Sequence, residues 1–231
     1  MKKLLMALLL VVAMTPMLSA QKWITLFDGK TTNGWHTYGK DKVGEAWKAA
    51  DGNLILDPSQ KDGWQIKGGG DIITNESFDD FHLQLEWKIS KNGNSGIIFF
   101  IQDEPKKYNY IWYTGPEMQV LDNDGHADGK IIKHRAGNLY DLVAGKEGVV
   151  KAVGEWNKVD IIAEKGKLTF KLNDTEVLST TYGDDNWKEL IKNSKFSKGE
   201  SPDFGKVFSG HIGLQDHGDR VYYRNIRIQR L

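Results

Sequence analysis

The nine residues FHLQLEWKI (81–89) alternate without a break. Phe81, Leu83, Leu85, Trp87 and Ile89 point one way, and His82, Gln84, Glu86 and Lys88 point the other. A period of two over this length specifies a half-buried β-strand, because successive side chains on a pleated chain face opposite sides. Its apolar face needs a second layer to cover it, and the remaining sequence offers strands for that layer. AWKAADGNLIL (46–56) carries Asp51-Gly52, a pair that accepts positive φ, between two short runs and reads as a hairpin. NKVDIIAEKGKLTFKLND (157–174) repeats the arrangement around Lys165-Gly166. SGIIFFIQ (95–102) is apolar on both faces and reads as a central strand. GHIGLQDHGDRVYYRNIRIQ (210–229) gives two strands joined at DHGD. One segment has helical spacing: DDNWKELIKNSKF (184–196), with an Asp or Asn cap ahead of Trp187, Leu190 and Ile191. The fold class expected is all-β, an antiparallel jelly-roll sandwich with one short loop helix.

Sandwiches of this kind commonly span about 200–250 residues as one domain, and the chain has 231. Residues 21–231 are therefore expected to form a single domain. Ahead of them, Lys2 and Lys3, the apolar run LLMALLLVVAM (4–14) and Ala20 read as a signal peptide, residues 1–20. Periplasmic or secreted placement follows as an expectation, with no membrane contact after cleavage. The absence of cysteine removes disulfides, thiolate metal sites, a cysteine nucleophile and a lipid-modified cysteine at the cleavage site. Net charge is zero, which argues against nucleic acid as a partner.

GPEMQVLDNDGHADGK (115–130) holds the most informative polar pattern. If Met118 and Val120 face the core, Glu117 and Gln119 share the opposite face, where a curved sheet forms a groove. Continued alternation would put Asp122 in the core, an unfavourable place for a carboxylate, so the strand ends or bulges near Leu121.

Six stretches in this order, ITLFDGKTTNGW (24–35), NSGIIF (94–99), GPEMQVLDN (115–123), GEWNKV (154–159), GHIGLQDHG (210–218) and VYYRNIRI (221–228), resemble the 3-keto-disaccharide hydrolase family. The resemblance spans nearly the whole mature chain and rests on the ordered set, not on any single motif. It implies a sandwich of the concanavalin A-like lectin/glucanase type and a carbohydrate substrate, a glycoside oxidised to a ketone at C3. That ketone makes the C2 proton acidic. A general base can remove it, the C1 substituent leaves, and water adds to the resulting enone. Such a site needs a base near C2 and an electrophile near the C3 oxygen.

Glu117 is the leading candidate for base or metal ligand. Gln119 and Asn94 can hydrogen-bond sugar hydroxyls. HRAGNLYDL (134–142) supplies His134 as a base or ligand, Asn138 for substrate binding, and Tyr140, which matches a family stretch and could donate to the C3 oxygen. QDHG (215–218) brings Gln215 and His217 to the end of a strand, with Asp216 as a turn-former. Arg224 is expected on the same face as Tyr222, Ile226 and Ile228, where it needs an anionic partner from substrate or protein. EMQVLD also resembles the Glu-x-Asp-x-x-Glu strand of lectin-fold glucanases, with Gln119 and Asp122 departing from it. That keeps a conventional glucan hydrolase using Glu117 and Asp122 as an alternative, beside a non-catalytic sugar-binding module. Cofactor need is open: no cofactor is specified, and a divalent ion on Glu117, His134 or His217 would polarise the ketone. DNDGHADG (122–129) has His at the third position of a calcium loop counted from Asp124 and Arg135 at the twelfth, and does not fit one.

Overall fold

The structure is a computed structural model describing residues 22–199 and 201–231; the leader expected at residues 1–20 lies outside them. The strands are β1 (Ile24–Thr25), β2 (Trp35–Thr37), β3 (Trp47–Ala50), β4 (Asn53–Leu56), β5 (Lys61–Asp62), β6 (Gln65–Ile66), β7 (Ile72–Phe78) and β8 (Phe81–Ile89), followed by β9 (Asn94–Ile101), β10 (Glu117–Leu121), β11 (Asn157–Glu164), β12 (Lys167–Leu172), β13 (Thr175–Thr181), β14 (Gly210–Leu214) and β15 (Val221–Arg230). They build two antiparallel sheets. The first has the order β13-β12-β11-β8-β15-β4-β3, with β1 also on β15; the second has the order β10-β9-β14-β7-β2. β5 and β6 form a separate small hairpin. The fold is an all-β jelly-roll sandwich.

β8 lies at the centre of the first sheet, and its alternation buries one face. Its five apolar residues are at most 3% exposed and pack between the sheets against Phe99, Met118, Val120 and Phe170. Burying side chains of this size contributes roughly 10 kcal/mol in all, an upper bound set by an extended reference chain. Both expected hairpins form, with Asp51 and Lys165 at positive φ. β9 is buried on both faces and lies between β10 and β14, as its apolar run requires.

β15 departs from simple alternation. Its pairing with β8 shifts between Arg224 and Arg227, with Asn225 at φ 53°. The bulge re-aims the strand: Val221 and Tyr223 point to the core before it, and Ile226 and Ile228 after it. Arg224 therefore does not share a face with Ile226 and Ile228. It lies on the outer side, where Nε and one terminal nitrogen donate to Glu86 Oε2 at 2.9 and 2.6 Å and the guanidinium covers Trp156.

The helical segment also divides. The helix α1 (Asp185–Lys192) starts where the Asp184 carboxylate accepts the Trp187 amide at 2.7 Å. It stops at Asn193, and a separate 3₁₀ turn follows at Lys195–Ser197, capped by Ser194 Oγ on the Phe196 amide. This break turns Lys195 toward the second sheet. No helix among the described residues is long and apolar enough to cross a membrane.

Candidate active site

The outer face of the second sheet carries a cavity of about 150 Å³, lined by Trp64, Asn94, Trp112, Glu117, Gln119, Tyr140, Lys195, Gln215 and His217. A space of this size accommodates one six-membered ring. Larger hollows lie elsewhere among the described residues. One of about 410 Å³, on the outer face of the first sheet, is lined by side chains already bonded to one another, among them Gln84, Glu86, Asn225 and Arg227. Another, of about 480 Å³, lies beside α1, with Trp187, Ile191, Phe204, Phe208, three lysines and Ser197 in its walls and no carboxylate among the described lining residues.

β10 sends Met118 and Val120 into the core and Glu117 and Gln119 into the cavity. The neighbouring strand makes room for the carboxylate. Gly96 lies opposite Gln119, and a Cβ there would collide with Glu117 Oε1. On its other edge β10 is covered by residues 137–140: Gln119 N donates to Asn138 O, Gly137 N to Gln119 O and Tyr140 N to Glu117 O, at 2.9–3.1 Å. That pairing protects an edge strand and sets Tyr140 beside Glu117. Burial raises the Glu117 carboxyl to about 8, with the nearby Lys195 ammonium opposing the shift.

Lys195 and Asp128 were not among the residues singled out by sequence. Lys195 Nζ donates to Tyr140 Oη at 3.2 Å and lies 4.3 Å over its ring. Tyr140 in turn donates to Asp128 Oδ2 at 3.2 Å, and desolvation raises its hydroxyl pKa, so the phenol stays protonated. With the Tyr140 proton engaged by Asp128, Lys195 is the lysine cation that lines the cavity, beside the amide groups of Asn94, Gln119 and Gln215. No sequence signal marks Lys195, since it depends on the break after α1.

Asn94 and Gln215 complete the floor from the ends of β9 and β14. Both are more than nine-tenths buried, yet Asn94 Oδ1 and Gln215 Oε1 have no hydrogen-bond partner. Such orphan atoms are costly, and a ligand hydroxyl would satisfy them. Asp216 holds the adjacent wall together. Its carboxylate accepts the Ile66 and Gly70 amides at 3.0 and 2.7 Å and the Gly218 amide at 2.9 Å, fastening the β5–β6 hairpin, which carries Trp64, to the strand end that carries His217. Asp71, raised to about 7 by burial, accepts the Asp216 amide behind them. Burial and the nearby His126 keep the His217 pKa below the ordinary histidine range, so its ring is neutral at pH 7.

The cavity thus gathers Glu117, Gln119, Asn94, Tyr140, Gln215 and His217 from the residues expected to form a site. The others lie outside it, each with a structural occupation. Asp122 follows the end of β10, and its carboxylate accepts the Asn92, Asp124 and Gly125 amides at 2.7, 3.2 and 3.0 Å. Asn138 bridges Ile132 O and Gly145 N. His134 bonds Asp141 Oδ1 at 3.0 Å and packs at 4.3 Å on the Tyr140 ring from behind. Arg224 belongs to the opposite sheet. The metal candidates Glu117 and His134 also fall apart from the one donor cluster among the described residues. That cluster is His126, His217 and Asp219, with ligand atoms within 4.8 Å of one another. His126 Nδ1 already accepts the Asp128 amide at 3.1 Å, so ligation at its other nitrogen would require the ring to give up that bond.

Residues 22–229 match the family described as the 3-keto-alpha-glucoside-1,2-lyase-like domain. The chain belongs to this family. A 3-keto-disaccharide hydrolase from Bacteroides thetaiotaomicron is 40% identical over 230 residues, covering 92% of this chain and 79% of that protein. A crystal structure from Parabacteroides distasonis, provisionally named a glycosyl hydrolase, superposes with a TM-score of 0.80 at 30% identity, covering 90% of this chain and 94% of that one. A Bacillus subtilis protein of unknown function with a galectin-like fold superposes at 0.52 with 14% identity, covering 85% and 89%, a likeness of fold alone. Around one small cavity the chain thus gathers a buried carboxyl, a lysine and two unpaired amide oxygens.

Proposed function

We propose that the protein is a carbohydrate-cleaving enzyme that acts on 3-keto-glycosides, with Glu117 as the base that takes the C2 proton. The observation that carries this reading is the isolation of Glu117: among the described residues it is the one carboxylate lining the cavity, buried, and raised to about 8. A base tuned close to working pH suits abstraction of a carbon-bound proton activated by a ketone. Double displacement by two carboxylates about 5–5.5 Å apart has no second member here, because Asp122 is occupied as a turn cap. The relationship to a 3-keto-disaccharide hydrolase supports the same substrate class.

In this reading the sugar ring enters the cavity with its hydroxyls on Asn94 and Gln215. Glu117 removes the C2 proton, and the electron pair passes to the C3 oxygen, where the Lys195 N–H groups receive the negative charge. The enolate collapses, the C1–O bond breaks, and the leaving oxygen takes up the proton that Glu117 has collected. Glu117 then deprotonates water, which adds at C1 while C2 is reprotonated. The net change is hydrolysis, and no redox partner is needed. Action outside the cytoplasm belongs to the same proposal; a mature N-terminus at Gln21 in the exported fraction would test it.

The decisive experiment incubates the purified protein with a 3-keto-disaccharide and with the unoxidised parent in deuterated water. Turnover of the ketone alone, with deuterium at C2 of the product, is expected. Cleavage of the parent sugar, product without deuterium at C2, or binding without turnover would each overturn the reading.

A further inference from the structure

Trp112 and Lys195 line two cavities. One is the 150 Å³ cavity around Glu117; the other, of about 330 Å³, is lined by Trp112, Lys195, Phe196, Lys198 and Ser201. A ligand passing between the two crosses Lys195, whose N–H groups the reading above uses. The scissile bond of a glycoside therefore falls at this junction when its oxidised ring fills the smaller space, and the group attached at C1 extends into the larger one.

The chemistry of the second cavity differs from that of the first. The described side chains of its wall offer two aromatic faces, two ammonium groups and one hydroxyl, with no carboxylate and no amide among them. Ammonium groups donate hydrogen bonds and accept none. A sugar leaving group would bring several hydroxyl donors to described side chains of which Ser201 alone can accept. An aromatic ring needs no acceptor, can stack on Trp112 and can take an ammonium over its face.

The platform is rigid. Trp112 stacks on Tyr110 with ring centres 5.1 Å apart and planes 6° from parallel, and meets Tyr113 edge-on at 4.6 Å. Beneath it lies a small apolar layer of Ile73, Ile98, Ile101 and Ile111 on the outer face of the second sheet. On the other side Phe196 is stacked on Phe204 at 3.7 Å. Lys195 Nζ already lies 5.8 Å from the Trp112 ring centre and 5.2 Å from that of Phe196, so the cation is in place for a ring entering between them.

We propose that this second cavity is a leaving-group subsite selective for aromatic aglycones, so that aryl-bearing 3-keto-glycosides are cleaved in preference to 3-keto-disaccharides. The inference rests on the 3-keto-glycoside reading of the first cavity.

The test compares benzyl, methyl and glucosyl 3-keto-glycosides of the same sugar. Benzyl and methyl alcohols are leaving groups of similar basicity, so a difference between them reports binding of the ring. The benzyl compound is expected to exceed both others in kcat/KM, by about tenfold over methyl. Trp112→Leu should bring the benzyl-to-methyl ratio toward one, and Lys198→Ala should lower it by about two- to threefold. The ratio in the wild-type protein decides the matter even if a variant does not fold. Equal turnover of methyl and benzyl compounds, or a preference for the disaccharide, overturns the subsite and leaves the reaction standing. Failure to cleave any of the three overturns the reaction and the subsite with it.

Discussion

Replacing Glu117 by glutamine should inactivate the protein and stabilise it. Glu117 is 6% exposed, and burial raises its carboxyl from the ordinary 4.5 to about 8. A carboxyl with a raised pKa is easier to keep protonated in the folded chain than to ionise there. Its effect is absent well below pH 4.5, grows as the unfolded chain ionises, and levels off once pH passes the folded value. Each pH unit in the window contributes about 1.4 kcal/mol, so the full gap, 8 minus 4.5, amounts to about 5 kcal/mol. By pH 7 about 3 kcal/mol of it has accrued. Glutamine has the same shape and carries no charge in either state, so Glu117→Gln recovers this amount. For a domain of this size that is an increase in Tm on the order of 6–12 °C at pH 7, narrowing to a degree or two near pH 4.5. Thermal or urea unfolding of both proteins between pH 4.5 and 8 measures it. A stability difference that does not change across this range, or a variant less stable at pH 7, would refute the claim that Glu117 is held in a desolvated site.

The same titration predicts the rate profile: kcat/KM rises about tenfold per pH unit below pH 8 and levels above it, because only the ionised Glu117 can take a proton; a profile flat from pH 6 to 9 contradicts this. Gly96→Ala should lower kcat/KM at least about tenfold and cost about 1–3 kcal/mol, since the new methyl meets the Glu117 carboxylate; kinetics with a denaturant melt measure both. Asp122→Ala should leave activity within about twofold while costing about 1–3 kcal/mol as three backbone amides lose their acceptor, whereas a glucanase pair would lose activity outright. Lys195→Met should lower kcat by about 100-fold with a smaller change in KM, as befits a group that acts on developing charge, and a loss confined to KM would reduce Lys195 to substrate binding.

Much of this molecule can be read from period alone. Strict alternation in 81–89 identifies a half-buried strand and assigns its faces, and the same rule applied to residues 117–120 aims Glu117 and Gln119 away from the core. Both results follow from the pleat, which is a property of adjacent residues. Turn chemistry at Asp51-Gly52 and Lys165-Gly166 is equally local. The same rule misplaces Arg224, since one extra residue at Asn225 reverses every later side chain and nothing in VYYRNIRI marks the bulge. Asp122 is the reverse case: burial without a site, because its own loop and the turn between β8 and β9 point amides at the carboxylate.

The cavity itself is a product of three dimensions. Lys195 reaches Tyr140, 55 residues away in the chain, because α1 ends at Lys192 and the next turn swings the side chain inward. Trp64 faces His217 because Asp216, 150 residues beyond Ile66, captures that hairpin's amides. Strand patterning depends on neighbours along the chain and is written there. Which distant loops meet above the sheet depends on long-range packing and capping, so the partners of Glu117, and the pKa they and burial impose on it, exist only in the folded molecule.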